Sequence, residues 1–296
     1  MKFSTMKNGF LGINQGKNFQ VPYQKAKAIV VPFGLENTVS YGHGTKNGPQ
    51  AIINASHFME VLDEQALKPF FRCGIATLKE PKIPKQQKPA IELLAALVGK
   101  VIADKKFPLV LGGEHSLTQG TIKGLSGKYK NFTVLHFDAH SDTRLDYYIG
   151  ASYSHGAVMS QVLAKYPVAK LVQVGVRSLS DQNGEMAFRK KYRGKIKTFW
   201  AWDKFSPADV VRAIPTRDVF VSFDLDAFDP SIMPSTGTPE PGGLLWWPTL
   251  EILKAVYKSK NVIGADVVEL APVKNLHHPD FLAAKLVYKL IGYKFF

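Results

Sequence analysis

The 296-residue chain contains a single cysteine, Cys73, so it cannot form an internal disulfide bond. No catalytic or metal-binding pattern surrounds this residue, and a lone cysteine of this kind is usually a small core residue. Residues 1–9 lack the apolar segment of a signal peptide. No apolar run approaches the roughly 18 residues that a membrane-spanning helix needs. We therefore expect a cytoplasmic protein with no membrane partner.

Acidic residues are also scarce, since 24 Asp and Glu stand against 38 Lys and Arg, giving a formal net charge of +14. A basic balance can indicate a nucleic-acid partner. The cations are scattered along the chain, however, and the densest group, residues 189–197, is more simply explained as solvated surface. A hydrophobic content of 45% and a charged content of 21% are typical of a soluble globular protein with an ample core. No nucleic-acid partner is expected.

Short apolar segments alternate with helical patterns along most of the chain. Alternating strands and helices predict an α/β fold whose mostly parallel central sheet is covered on both faces. No internal repeat or change of composition divides the chain, so we predict one domain, residues 1–296. Strand-like composition occurs in seven segments: 28–34, 107–111, 133–137, 170–176, 198–200, 219–223 and 261–269. A helix is predicted from His155 to about Ala164.

One stretch, residues 133–142, places three ligand-type side chains at the end of a predicted buried strand. Asp138, His140 and Asp142 are spaced two apart, and in an extended chain residues two apart point to the same face. A solvated loop of charges does not require this spacing. Charged side chains are seldom buried unless they are paired or bind a metal. The triplet therefore predicts a metal site.

Two further strand ends carry the same kinds of side chain. Asp224 and Asp226 follow strand 219–223, and His115 lies in the sequence Gly-Gly-Glu-His-Ser after strand 107–111. Ligands of parallel sheets lie at the carboxyl ends of the strands. Two histidines and four aspartates suit two divalent cations, and the imidazoles favour Mn²⁺ or a later transition metal over Mg²⁺ and Ca²⁺. A pair of such ions activates water, which predicts metal-assisted hydrolysis.

These segments resemble the three signature motifs of the ureohydrolase (arginase/agmatinase) family in residue type, order and spacing. The resemblance extends from about Val30 to the C-terminus and is carried by residues 112–116, 137–142 and 222–230. It implies an arginase-like three-layer α/β/α fold, two Mn²⁺ ions, and hydrolysis of a small guanidine substrate to urea and an amine. It also implies a homo-trimer or homo-hexamer.

The resemblance further implies a role for each motif residue. Asp138 and Asp224 would bridge the two ions. One ion would be held by His115, Asp138, Asp142 and Asp224, and the other by Asp138, His140, Asp224 and Asp226.

Two catalytic residues are implied in the same way. His155 occupies the position of the family's proton-shuttle histidine, and a histidine suits proton delivery to a leaving amine. Glu269, at the end of the last predicted strand, occupies the position of the carboxylate that binds the substrate guanidinium. A planar guanidinium favours bidentate binding by a carboxylate.

The loop between the second motif and His155 bears on which guanidine is cleaved. Residues 143–153 lack the Asn- and Ser-rich pattern of arginases and resemble the agmatinase loop, with Arg144 and Asp146 as counterparts. An aspartate near the substrate tail attracts an ammonium, whereas Arg144 would favour a carboxylate. Residues 234–243, with Glu-Pro before two glycines, also resemble agmatinases. Agmatine, giving urea and putrescine, is the predicted substrate; guanidinobutyrate, aminopropylagmatine, guanidine, arginine and formiminoglutamate remain open.

A function of another class is also open. A metal-stabilised or nucleic-acid-binding protein could share this fold without the chemistry. Its only support is the net charge of +14. Salt-dependent binding to random DNA, with no urea from any guanidine, would favour it.

Overall fold

The computed structural model describes residues 3–14, 16–145, 153–181 and 184–296. Eight strands lie in this part of the chain: β1 (Ala28–Phe33), β2 (Ile75–Thr77), β3 (Phe107–Gly112), β4 (Phe132–Phe137), β5 (Val168–Val176), β6 (Ile196–Trp200), β7 (Asp218–Asp224) and β8 (Asn261–Val268). They form one sheet in the order β2-β1-β3-β8-β7-β4-β5-β6, and all neighbouring strands are parallel. The predicted α/β fold with a parallel central sheet is confirmed.

Helices cover both faces of this sheet. One face carries α1, α6, α7 and α8, and the other carries α2, α3, α4 and α5, so the predicted three layers are present. None of the helices in the described residues combines the length and apolarity required to cross a membrane. The helices are α1 (Gly48–Ser56), α2 (Gln87–Ala103), α3 (Thr118–Ser126), α4 (Val158–Lys165), α5 (Glu185–Lys191), α6 (Pro207–Ala213), α7 (Trp246–Ser259) and α8 (His278–Phe295).

Local sequence explains why these segments take these forms. Strand β4 is apolar or β-branched along most of its length and is buried throughout, as expected for a strand covered on both faces. Helix α6 begins with a capping box, in which Ser206 and Asp209 each bind the other's backbone N–H. Pro49 lies in the first turn of α1, where its missing N–H costs no helical hydrogen bond.

Two local features differ from the sequence prediction. Strand β2 was not predicted because it is three residues long and lies at the sheet edge, which is too short for a periodic pattern. The helix predicted from His155 begins instead with a 3₁₀ turn, His155–Ala157, before α4. Cys73 is buried, as predicted for a core residue.

The four central strands, β3, β8, β7 and β4, are adjacent in the sheet. Each of their carboxyl ends leads directly into predicted site residues. Because these strands are adjacent, segments that are far apart in sequence lie close together at the carboxyl ends of the strands.

Candidate active site

A cleft of about 240 Å³ lies at the carboxyl ends of the central strands. Five of the six predicted metal ligands line it, and Asp138 is buried beneath them. The remaining predicted site residues in the described part of the chain also line the cleft: Arg144, His155 and Glu269.

The first half of the predicted metal centre surrounds His115. Its Nδ1 lies 3.0 Å from an oxygen of Asp142, 3.2 Å from one of Asp138 and 3.3 Å from one of Asp224. This nitrogen is buried and forms no hydrogen bond with the described residues. A buried nitrogen facing three carboxylate oxygens without a hydrogen bond is an environment that a divalent cation would satisfy.

The other nitrogen of His115 is fixed by a hydroxyl and a carboxylate. Nε2 lies 2.9 Å from Ser222 Oγ, which donates to Asp266 Oδ1 at 2.8 Å. Thr118 donates to the other oxygen of Asp266 at 2.8 Å. Because the Ser222 hydroxyl proton is directed to Asp266, Ser222 can only accept from Nε2–H, and in the neutral ring this leaves the Nδ1 lone pair facing the aspartates.

The second half surrounds His140. Its Nδ1 lies 3.0 Å from Asp226 Oδ2 and 3.5 Å from Asp138 Oδ1. Backbone N–H groups orient the carboxylates: His140 N–H binds Asp138 at 2.6 Å, Ala139 N–H binds Asp226 at 3.0 Å, and Asp226 N–H binds Asp224 at 2.8 Å. The structure thus brings all six predicted ligands into one cluster.

Strand alternation explains only part of this convergence. The extended pairing of β4 continues past its end, since Asp138 N–H binds the Val174 carbonyl and His140 bridges Ser178. Asp142 instead has φ +51°, in the left-handed region. The third ligand reaches the cluster through a strained turn, which corrects the assumption of one extended segment.

Electrostatics within the cluster favour bound cations. Burial, with the neighbouring carboxylates, raises the pKa of Asp224 well above its usual range and also raises that of Asp226. Burial opposes protonation of the two histidines, but the surrounding aspartates raise the pKa of His115 well above normal and that of His140 to about 12. Burial likewise opposes ionisation of Asp138, but its histidine neighbours lower its pKa. Protons partly balance the crowded aspartates here, and divalent cations would replace those protons.

A third histidine, His136, adjoins the cluster and was missed in the sequence. Its Nε2 lies 2.7 Å from Asp138 Oδ2, and its Nδ1 lies 3.0 Å from Gln173 Nε2. Arg189 donates to Gln173 Oε1 at 2.8 Å. The position of His136, two residues before Asp138, was the one sequence feature that could have identified it. Arg189 belongs to the group predicted to be solvated, and it instead packs inward against the Trp200 ring.

Glu269 lies on the floor of the cleft beside this cluster. Its Oε1 accepts a hydrogen bond from the backbone N–H of His115 at 2.6 Å, and no described residue donates to Oε2. Its φ of +66° is left-handed, and its own N–H binds the Gly113 carbonyl at 2.9 Å. Burial raises its pKa well above the usual range. A cationic ligand would restore its ionised form.

His155 lies on the wall of the cleft, in the turn before α4. Its Nε2 is 2.9 Å from Ser40 Oγ, and its Nδ1 is 3.3 Å from Thr38 Oγ1. Both hydroxyls belong to the loop that follows β1. No local pattern predicts this contact, because 115 residues or more separate the partners.

The structure describes one of the two residues predicted to contact the substrate tail. Arg144 lines the cleft and packs on Gly156, where a Cβ would lie 3.2 Å from Arg144 Cδ. Asp146 lies outside the described residues.

Glu240 is a further acidic residue of the wall. Its Oε1 lies 3.8 Å from His140 Nε2, and its side chain is 37% exposed. The Arg177 guanidinium holds this segment in place by donating to the carbonyl oxygens of Glu240 and Asp226, both at 2.8 Å.

Comparisons with known proteins identify the family of this chain. The model of the arginase family matches residues 26–292. The chain belongs to the arginase family. Enzymes of the arginase family carry a binuclear metal centre and hydrolyse small guanidine substrates, and the buried His/Asp cluster of this chain is able to bind metal.

Relatives within the arginase family carry two substrate names. The chain is 34% identical to the N(1)-aminopropylagmatine ureohydrolase of Synechocystis sp. over 92% of its length and 90% of that protein. It is 31% identical to the agmatinase of Pyrococcus horikoshii over 92% of its length and 93% of that protein. The agmatine ureohydrolase structure of Thermoplasma volcanium matches with a TM-score of 0.83 and 28% identity, covering 93% of this chain and 92% of the other.

Proposed function

We propose that this ureohydrolase cleaves the guanidinium group of agmatine to urea and putrescine, with two Mn²⁺ ions as cofactor. The observation that carries the proposal is the pair of carboxylates, Glu269 and Glu240, that lines the cleft outside the metal cluster. Agmatine carries a cationic group at each end, so each end would find a carboxylate.

A count of charges explains why these two carboxylates matter. Two divalent cations would balance the four aspartates of the cluster, Asp138, Asp142, Asp224 and Asp226. Glu269 and Glu240 would add two further negative charges, against a single arginine, Arg144, in the described lining of the cleft. The cleft therefore favours a cationic substrate locally, although the whole chain has a net charge of +14.

Each chain residue has a defined task in the proposed reaction. His115, Asp138, Asp142 and Asp224 would hold one ion, and Asp138, His140, Asp224 and Asp226 the other. When bound, the two ions would activate the attacking water. Glu269, oriented by the His115 N–H, binds the guanidinium. His155 delivers a proton to the leaving amine nitrogen.

Aminopropylagmatine is a second candidate, because the Synechocystis relative of 34% identity is named for it. It extends the same substrate by a further cationic amine, which suits Glu240. Guanidinobutyrate instead carries a carboxylate, which Arg144, the one arginine of the described lining, would favour. These three substrates differ in the tail alone, so they test the wall of the cleft and leave the metal chemistry unchanged.

The test is kcat/KM for agmatine, aminopropylagmatine, guanidinobutyrate and arginine after reconstitution with Mn²⁺. Agmatine or aminopropylagmatine should exceed arginine. Glu240→Gln should lower kcat/KM for these amines, since an ion pair near 4 Å is worth about 1–4 kcal/mol, and should leave hydrolysis of guanidine itself unchanged. Preference for arginine would contradict the proposal, and preference for guanidinobutyrate would point to Arg144.

We also propose that residues 1–296 act as one cytoplasmic domain in a homo-trimer or homo-hexamer. The single eight-stranded sheet of the described residues supports the first part, and typical family members are oligomeric. Sedimentation analysis of the Mn²⁺-loaded protein tests the assembly. A monomer at micromolar concentration would contradict it.

A further inference from the structure

Two hydroxyl groups contact the imidazole ring of His155. Thr38 Oγ1 lies 3.3 Å from Nδ1 and accepts a hydrogen bond from the His155 backbone N–H at 3.1 Å. Ser40 Oγ lies 2.9 Å from Nε2. A hydroxyl can donate or accept, so these contacts alone leave the tautomer of the ring open.

Glu114 resolves this ambiguity at Thr38. Its buried carboxylate accepts from Thr38 Oγ1 at 2.7 Å, from the Thr38 N–H at 2.5 Å and from the Asn37 N–H at 2.6 Å. Ser116 Oγ and Gln87 Nε2 also approach it, at 2.5 and 2.9 Å. Backbone and amide N–H groups can only donate, so both oxygens of Glu114 act as acceptors. The one hydroxyl proton of Thr38 is therefore directed to Glu114.

The direction of the Thr38 hydroxyl determines the tautomer of His155. With its proton on the Glu114 side, Thr38 Oγ1 presents only lone pairs to the histidine. One lone pair receives the His155 backbone N–H, and the other faces Nδ1. Nδ1 must then carry the hydrogen, and in the neutral ring Nε2 is the nitrogen without one.

Close packing keeps the loop that follows β1 against the segment that contains Glu114. A Cβ on Gly113 would lie 2.1 Å from the carbonyl oxygen of Leu35, so only glycine fits there. The next residue, Glu114, donates its backbone N–H to that same Leu35 carbonyl at 2.7 Å. These backbone contacts therefore hold the Glu114 carboxylate next to the Thr38 hydroxyl.

We propose that Glu114 and Thr38 are positioning residues that hold His155 in the Nδ1–H tautomer and so make Nε2 the nitrogen that transfers the proton. This inference rests on the proposed shuttle role of His155. Nε2 gains a proton from the attacking water and loses it to the leaving amine nitrogen, while the Nδ1–H bond stays intact. Ser40 can turn its hydroxyl to donate to Nε2 or accept from it, so it fits both protonation states.

Thr38→Val is the direct test, because valine keeps the side-chain shape and removes the hydroxyl. We expect kcat for the best guanidine substrate to fall by roughly 10–100-fold, the usual loss when a residue that orients a ligand through a hydrogen bond is removed. KM and metal content should change little. Thr38→Ser should restore kcat. Glu114→Gln is less suitable, because its amide would face backbone donors and could disturb folding. Full activity of Thr38→Val would overturn the inference.

A double-mutant cycle separates positioning from general loop stability. In a His155→Ala background, Thr38→Val should have no further effect on kcat. Thr45→Val is the matched control, since Thr45 also donates to a carboxylate of this loop, that of Glu36, at 3.1 Å. The control should keep normal activity. Equal losses from Thr38→Val in both backgrounds, or an equal loss in the control, would overturn the inference.

The tautomer itself gives a readout that does not need activity. ¹⁵N spectra of the imidazole side chains, recorded on protein loaded with diamagnetic Zn²⁺, assign His155 by its absence in His155→Ala. We expect Nδ1 to be the protonated nitrogen of the neutral ring, and Thr38→Val to give a mixture. An Nε2–H tautomer in the wild type would overturn the inference. Absence of urea from every guanidine tested, with the Nδ1–H tautomer present, would instead reject the proposed function alone.

Discussion

His115 and His155 line the same cleft, and each contacts a hydroxyl that donates to a buried carboxylate. At His115 the hydroxyl, Ser222, faces Nε2. At His155 the hydroxyl, Thr38, faces Nδ1. The same local arrangement therefore leaves opposite ring nitrogens available in the two histidines.

The surroundings of the available nitrogen differ as well. Nδ1 of His115 is enclosed by three aspartate oxygens at 3.0–3.3 Å and is buried. Nε2 of His155 meets only the hydroxyl of Ser40, an exposed residue, among the described residues. A fixed lone pair among anions suits a metal ligand, whereas a nitrogen beside a rotating hydroxyl suits a group that gains and loses protons.

Removing a ligand from the metal side should give the largest effect. Asp226→Asn should lower kcat by more than the roughly 10–100-fold that is typical for outer partners, because the second ion loses a carboxylate. Elemental analysis should show less metal, and circular dichroism should show a folded protein. Chelation of the wild type should have the same effect on activity and lower the melting temperature, since the buried aspartates then repel one another. Full turnover by protein shown to be metal-free would contradict the binuclear assignment.

Removing the other histidine should separate proton transfer from metal binding. His155→Ala should reduce kcat by roughly 10²-fold or more, the usual scale for a general acid or base. Its metal content should equal that of the wild type, because His155 contacts hydroxyls and no carboxylate of the cluster. Loss of one metal equivalent would make His155 a ligand and erase the contrast with His115.

Ser222→Ala tests the hydroxyl on the metal side. Nε2 of His115 would lose its acceptor, so the ring could take the tautomer that turns N–H toward the aspartates. We expect metal affinity to fall by roughly 10–100-fold and activity to recover at high Mn²⁺. Thr38→Val should show no such recovery, and identical responses of the two variants to added metal would refute the distinction.

A change of pH tests the metal side without any substitution. Burial and neighbouring carboxylates raise the pKa of Asp224, and the aspartates, despite burial, raise that of His115. Both groups must lose a proton to bind a cation, so protons compete with metal and affinity should increase with pH. The expected slope between pH 6 and 8 is about tenfold per unit for each proton released. Titrations with Mn²⁺ in several buffers measure it, and a flat profile would contradict these shifts.

Sequence pattern was sufficient for the parts of the site that lie at the ends of strands. Asp138 and His140 follow from alternation, and their convergence with Asp224 and Asp226 follows from parallel strands ending at one edge. The order β3-β8-β7-β4, which makes these ends adjacent, depends on long-range packing that no local pattern encodes. The loop contacts of His155 were inaccessible for the same reason. His136 was missed because it lies inside an apolar strand, although its spacing from Asp138 matched the ligand pattern.

Arg177 has a consequence for how the substrate range could change. Its guanidinium binds carbonyl oxygens of Asp226 and Phe228 beside the metal cluster and of Glu240 and Pro241 on the wall. These bonds use only main-chain atoms of the wall, so the side chain at position 240 can be exchanged without loosening the support. The backbone of the wall is thereby supported independently of the side chain that faces the substrate tail, and substitutions at position 240 offer a route to new guanidine substrates.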